Sequence, residues 1–90
     1  MLKLRATAQY KKDRKLMLKR KLSLEPLDYV IQALIDGKPL EAKYRDHALS
    51  GNYKGFRECH ISPDWLLIYA IDGDNLILTT VRTGTHSDLF

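Results

Sequence analysis

Cysteine is nearly missing from this 90-residue chain: Cys59 stands alone, so no disulfide can form within it, which suits a reducing cytosol. Its plain reading is a small buried strand residue. Long apolar runs are also missing. None reaches the roughly 18 residues of a membrane span, and the start, Met1 to Thr7, lacks the apolar stretch of a secretory signal. A soluble, cytoplasmic protein without membrane contact is expected. There is no glycine-rich phosphate loop, no nucleophile elbow and no Cys-x-x-Cys pair, so nucleotide hydrolysis, acyl transfer and zinc-finger readings have no support. The length allows one domain, residues 1–90, with a thin stability margin that partner binding could supplement.

What is present is unevenly spread. The formal net charge is +4, yet residues 1–21 hold nine Lys or Arg against one acid, Asp13, while residues 22–90 hold six against ten. A basic block of this kind is what phosphate contacts use, because each neutralised phosphate releases counterions. A solvated helix face would look the same.

Alternation over residues 2–5 predicts a short edge strand. From Thr7 to Arg20 there is no Pro or Gly, and Lys11, Lys12, Arg14, Lys15, Lys19 and Arg20 leave a narrow apolar stripe, which predicts a basic helix. A second helix is marked by Ser23 as a cap, Pro26 in the first turn, Leu27, Val30, Ile31, Leu34 and Ile35 at helical spacing, and Gly37 as the stop. The short link between them predicts an antiparallel hairpin covering one face of a sheet. Residues 38–52 read as a long loop holding His47. Strands over 53–61, 65–71 and 76–82 then form a meander, with turns at Ser62-Pro63-Asp64 and Asp72-Gly73-Asp74-Asn75. The fold class is therefore α+β, a two-helix hairpin packed on a small, mainly antiparallel sheet.

If both turns are tight, residue 60 lies opposite 65 and residue 65 opposite 82. His60, Trp65 and Arg82 then share a row at one end of the sheet, beside Asp64. A bend at Gly84 would let His86 fold over that row. All three histidines, His47, His60 and His86, lie on segments able to reach this end, and the helices contain none. Metal-free RNA cleavage needs a group to take the 2′-hydroxyl proton, a group to protonate the leaving 5′-oxygen, and a cation at the phosphate; His and Arg provide these near neutral pH. Trp65 could stack on an unpaired base. Each residue also has a plain reading. A strand-end Trp is more often core, the histidines could be merely hydrogen-bonded, and Arg82 could pair with Asp64 or Glu58. A metal site from His47, His60, His86 and Asp64 is disfavoured because no two sit at a compact ligand spacing, so neither metal nor cofactor is expected.

Two stretches carry a resemblance. Tyr44-Arg45-Asp46-His47-Ala48-Leu49-Ser50-Gly51-Asn52-Tyr53-Lys54-Gly55-Phe56-Arg57-Glu58-Cys59-His60, continued by Ser62-Pro63-Asp64-Trp65-Leu66-Leu67-Ile68-Tyr69, and the ending Arg82-Thr83-Gly84-Thr85-His86-Ser87-Asp88-Leu89-Phe90, resemble the YafQ family of type II toxins in the RelE superfamily. The resemblance covers nearly the whole chain and implies a RelE-like fold. It also implies a ribosome-dependent endoribonuclease that cleaves messenger RNA in the decoding site, held inactive by a cognate antitoxin of the DinJ/RelB kind. By it, the catalytic positions fall on His47, His60, Asp64, Arg82 and His86. His86 is the general acid, Asp64 or His60 the base or its orienter, and Arg82 the phosphate holder. Phe90 positions substrate, and Trp65, Arg57 and Lys54 complete the substrate-binding set. Lys11, Lys12, Lys15 and Lys19 would face ribosomal RNA.

Two other functions compete. One is a non-cleaving toxin of the ParE kind that acts on a protein target, since fold does not fix function; the histidine set with Asp64 has no use there. The other is a basic ribosome- or RNA-binding module, for which the first helix alone would suffice and the tail would be unexplained.

Overall fold

The computed structural model describes all 90 residues. In chain order it has β1 (Lys3–Ala6), α1 (Ala8–Lys19), α2 (Glu25–Ile35), β2 (His47–Ala48), β3 (Arg57–Ser62), β4 (Trp65–Asp72), β5 (Ile77–Gly84) and α3 (His86–Leu89). One five-stranded sheet has the order β1-β5-β4-β3-β2, in which only β1 and β5 run parallel.

Thr7 starts α1 by accepting a hydrogen bond from the Tyr10 N–H. Both long helices end alike: Lys21 and Gly37 take positive φ, and the amides of Leu22 and Lys38 return to the carbonyls of Met17 and Ala33. Glycine fits that geometry at no steric cost, whereas Lys21 adopts it with a side chain. Ser23 lies one residue outside the helix it was expected to cap; Leu24 is the N-cap, and the Ser23 hydroxyl accepts a 3.3 Å bond from the Glu25 N–H. An Arg14–Asp28 pair at 2.7 Å ties the two helices together.

The sheet face toward these helices holds the larger core. Tyr10 and Met17 from α1 and Leu27, Val30, Ile31 and Leu34 from α2 pack on Cys59, Ile61, Trp65, Leu67, Tyr69 and Leu78. On the opposite face a smaller cluster of Leu66, Ile68 and Leu89 gathers Leu49, Tyr53, Phe56 and Val81 around it, and this seats the C-terminal segment.

The pairing differs from the expected row in a way that matters. The β4–β5 turn is centred one residue later, which moves each pairing partner by two so that Asp72 pairs with Ile77, because Asp72 Oδ1 accepts the amides of both Asp74 and Asn75 and Leu76 takes a positive φ. A bulge at Val81 adds one more residue, so Arg82 lies opposite Ile68, and a second bulge at Ile61 places His60 opposite Leu66 and Ser62 opposite Trp65. Each one-residue bulge moves the following side chain to the other face. Trp65 therefore points into the helix-side core, while Glu58, His60 and Arg82 share the opposite face. The loop is also more ordered than expected: it has short 3-10 turns at Ala42–Tyr44 and Gly51–Tyr53, and the two-residue β2. The third strand begins at Arg57 rather than near Tyr53, whose ring instead packs edge-on against Phe56 and Phe90.

Candidate active site

β3 supplies two adjacent same-face positions, Glu58 and His60, and β2 sets His47 opposite Glu58. The Nε2 atoms of His47 and His60 lie 3.6 and 3.8 Å from the same Glu58 oxygen. Glu58 is buried, so its carboxylate acts on both rings with little screening by water. His47 Nδ1 lies 2.6 Å from the Arg45 carbonyl oxygen, which can only accept, so Nδ1 carries the proton and the neutral ring keeps Nε2 free. The segment before His47 is anchored by Asp46, which accepts from the Tyr69 hydroxyl and pairs with Arg57.

The tail brings the third histidine. Gly84 is needed where it stands, because a Cβ there would meet the Asp88 Cβ at 2.9 Å. Thr85 and Asp88 then form a reciprocal cap that starts α3. His86 emerges from this turn with Nδ1 2.9 Å from Asp64 Oδ1, and its ring lies edge-on to His60 with centroids 5.8 Å apart. Hydrogen bonds from the ring and backbone N–H of His86 hold the Asp64 carboxyl below its ordinary range, so it is ionised at neutral pH. It accordingly accepts from Nδ1–H, which leaves His86 Nε2 exposed as the atom that gains or gives up the ring's second proton. Arg20 braces the same turn from α1 through a bidentate pair with Asp88, at 2.7 and 3.0 Å.

Arg82 lies on the same sheet face but is gripped from elsewhere. Its Nε and Nη2 donate to the two oxygens of Asp13, each at 3.0 Å, and Asp13 Oδ2 also accepts from the Thr83 N–H. β1 has ended by this point, so α1 closes the open side of β5. The expected partners Asp64 and Glu58 are not used; Asp13 takes their place. Nη1 is left free of these bonds.

The sequence profile described as "Bacterial toxin of type II toxin-antitoxin system, YafQ" matches residues 2–90. The chain belongs to this YafQ family of toxins. It is 45% identical over 85 residues to the mRNA interferase toxin YafQ of Escherichia coli K12, covering 93% of this chain and 90% of that protein. The E. coli YafQ chain in the DinJ–YafQ complex superposes with a TM-score of 0.91 at 40% identity, over 100% of this chain and 99% of the other. A metal-bound toxin from Helicobacter pylori superposes with a TM-score of 0.93 at 42% identity over the whole of both chains.

Of the residues singled out from sequence, the fold brings His47, His60, His86 and Asp64 into one connected group, with Arg82 on the same sheet face and Phe90 at its margin, 63% exposed and edge-on to Tyr53 at 5.6 Å. Trp65 is not a stacking surface. It is buried, and its indole N–H donates to the Thr83 hydroxyl at 2.9 Å. Arg57 alternates to the helix side of the sheet and is engaged by Asp46, so it does not face the histidines. Lys54 is exposed beside Tyr53 with no ion pair. No group of three or more His, Cys, Asp or Glu side chains is placed to hold a metal ion together.

Sequence reasoning gave Glu58 no part beyond a possible pair with Arg82, and gave Asp13 none. A signal for Glu58 existed, since positions two apart in a strand share a face. Nothing local could reveal Asp13, whose partner is 69 residues away. Cys59 is a core residue: burial pushes its thiol up to about 12, so alkylation of the folded chain at pH 8 is expected to be negligible and to appear only on unfolding. Rapid labelling of the native chain by iodoacetamide would contradict that placement.

Proposed function

We propose that the chain is the toxin of a type II toxin–antitoxin system and an endoribonuclease that cleaves messenger RNA in the ribosomal decoding site by metal-independent acid–base chemistry. The observation that carries this reading is the His60–His86 pair with Asp64 behind His86: two imidazoles near enough to serve one phosphate, one of them held in a fixed tautomer. His60, backed by Glu58, takes the 2′-hydroxyl proton. The 2′-oxygen attacks phosphorus, the bond to the 5′-oxygen breaks, and His86 Nε2 delivers a proton to that leaving oxygen. Asp64 is then an orienter and not the base, and it stabilises the imidazolium form of His86. The free Nη1 edge of Arg82 is the cation available to the phosphorane-like transition state. His47 flanks Glu58 on the side away from His60's strand neighbours, 3.6 Å from its carboxylate, and Phe90 and Tyr53 border the substrate.

Kinship with E. coli YafQ, called an mRNA interferase toxin and found with DinJ, supports both the activity and a cognate antitoxin as partner. No helix is long and apolar enough to cross a membrane, and a cytoplasmic location accords with the proposed action on ribosomes. Production of the chain in cells without its antitoxin, followed by sequencing of message 5′ ends, tests the proposal: cuts should fall in one codon phase. Cuts scattered across phases would remove ribosome dependence, and an absence of new ends would remove the nuclease.

Lys11, Lys12, Lys15 and Lys19 line the exposed side of α1 without a carboxylate partner, whereas Arg14 and Arg20 are both engaged. This leaves four cations for ribosomal RNA. Replacing all four by Gln is expected to flatten the log–log salt dependence of ribosome binding by up to about three units and to leave the cut positions unchanged. An unaltered slope would place the contact on another surface.

A further inference from the structure

Beside the histidines lies a cleft of about 660 Å³, lined by Pro26, Lys43, Tyr44, Arg45 and the β3 end from His60 to Pro63. His60 is the one residue it shares with the histidine group. We propose that this cleft holds the base and 5′-side phosphate of the ribonucleotide on the 5′ side of the cut, leaving its 3′-side phosphate to the histidines and Arg82, and so sets which base is accepted there. The inference rests on the endoribonuclease reading and on its assignment of the two histidines.

The side of the cut follows from the chemistry. The nucleotide that bears the attacking 2′-hydroxyl must lie against the base, and the nucleotide that receives the leaving-oxygen proton against the acid. His86 does not line the cleft and His60 does, so the occupant is the nucleotide whose 2′-hydroxyl loses its proton.

The lining suits that ligand. The volume is of the size ligand clefts usually have. The half-buried Tyr44 ring gives a flat apolar wall, with Lys43 Nζ 5.2 Å from its centroid. Arg45 is exposed and has no ion pair in the chain, and Lys43 has only a loose contact at 4.0 Å with Glu41. Two cations next to an aromatic ring are what a nucleotide monophosphate needs. Arg45 adopts φ +48, an uncommon conformation for a residue with a side chain, and it is the same residue whose carbonyl fixes the His47 tautomer. One backbone arrangement therefore turns a guanidinium toward the cleft and a carbonyl toward the site.

The floor adds a means of reading the base. β2 pairs with β3 only at Arg57 and Glu58, so from Cys59 onward the outer edge of β3 has no strand partner and offers backbone donors and acceptors. A peptide strand would also seek such an edge, but the bulge at Ile61 breaks the ladder within four residues and leaves no register for it. A single base needs no register.

The test has two arms. In the first, the free chain is titrated with adenosine 3′,5′-bisphosphate and followed by backbone amide NMR shifts. Shifts at Lys43, Tyr44, Arg45 and Ser62 together with His60 are expected, with binding about tenfold weaker in Arg45→Gln. Shifts confined to the histidines and Arg82, or none at all, would overturn the inference. In the second, message 5′ ends are mapped for the parent, Arg45→Gln and Tyr44→Leu. Both variants should lose base discrimination on the 5′ side of the cut and keep that on the 3′ side. Arg45→Gln alters an exposed side chain and keeps the test valid if Tyr44→Leu fails to fold. An unchanged cut pattern with weakened antitoxin binding would make the cleft a peptide site and end the proposal. A parent that produces no cuts, yet binds the nucleotide in the cleft, would instead end the nuclease reading.

Discussion

Replacing His86 by Ala is expected to lower message cleavage by about 10²- to 10⁴-fold, the range typical of a lost proton-transfer group, and to abolish growth inhibition. The protein should remain folded, because the ring is exposed and a substitution there changes stability by only about 0.5 kcal/mol. Ribosome and antitoxin binding should stay close to the parent's. Asp64→Asn should produce a smaller loss, since an amide cannot stabilise the imidazolium but leaves Nε2 in place. Single-turnover cleavage of ribosome-bound message by purified variants checks both. Unchanged cleavage by His86→Ala would take the acid role away from the tail.

The second large effect is expected at Asp13, a residue in the basic helix that faces inward. Its carboxylate satisfies two N–H groups of Arg82 and one of Thr83, and Thr83 in turn accepts from Trp65 and donates to the Leu66 carbonyl. Removing one partner of a fully buried pair typically costs about 3–5 kcal/mol; Arg82 is one-quarter exposed and can be partly hydrated, so about 2–3 kcal/mol is expected here. In a domain of this size that lowers Tm by roughly 10–20 °C. Asp13→Ala should therefore be marginally stable by thermal denaturation, and Asp13→Glu should recover part of the loss. Arg82 would also lose its aim, so Asp13→Asn should reduce cleavage even at temperatures where it is folded. A Tm within a few degrees of the parent's for Asp13→Ala would show that the pair carries little.

The same residue fixes the sign of an acid effect. Burial raises the Asp13 carboxyl pKa, but the bonds from Arg82, Gln9 and Thr83 outweigh it, and the net shift is downward. A depressed carboxylate contributes stability that is complete above its unfolded value of about 4 and is lost as pH falls through the folded value. The parent should thus lose stability on acidification below about pH 4. Asp13→Asn should start lower and change less over that window, which denaturant titrations at several pH values would show.

The parts of the fold legible in the sequence were those set by local pattern. α2 has apolar residues at helical spacing between Pro26 and Gly37, and β4 is a nearly unbroken apolar run because both of its faces are covered. Register was not legible. The bulges at Ile61 and Val81 have no composition signal, and they decide that Trp65 faces the helices while His60 and Arg82 face the site. The histidines were singled out because their chemistry is distinctive, and the fold brings them to one face. Glu58 was considered only as a partner for Arg82, although its buried carboxylate lies between two imidazoles. Arg20 shows the same limit. It counted as one more basic-helix residue, yet it holds Asp88 and with it the turn that presents His86.

The chemistry of the cut ends tests the central claim most directly. Attack by the 2′-hydroxyl, with His60 taking its proton and His86 giving one to the 5′-oxygen, leaves a 5′-hydroxyl on one fragment and a 2′,3′-cyclic phosphate on the other, and it proceeds in excess EDTA on ribosomes whose subunits and bound message have been cross-linked beforehand. Fragments with those ends, formed at an undiminished rate, are the expected result. Fragments carrying 5′-phosphates, which require water rather than the 2′-oxygen as nucleophile, would contradict it.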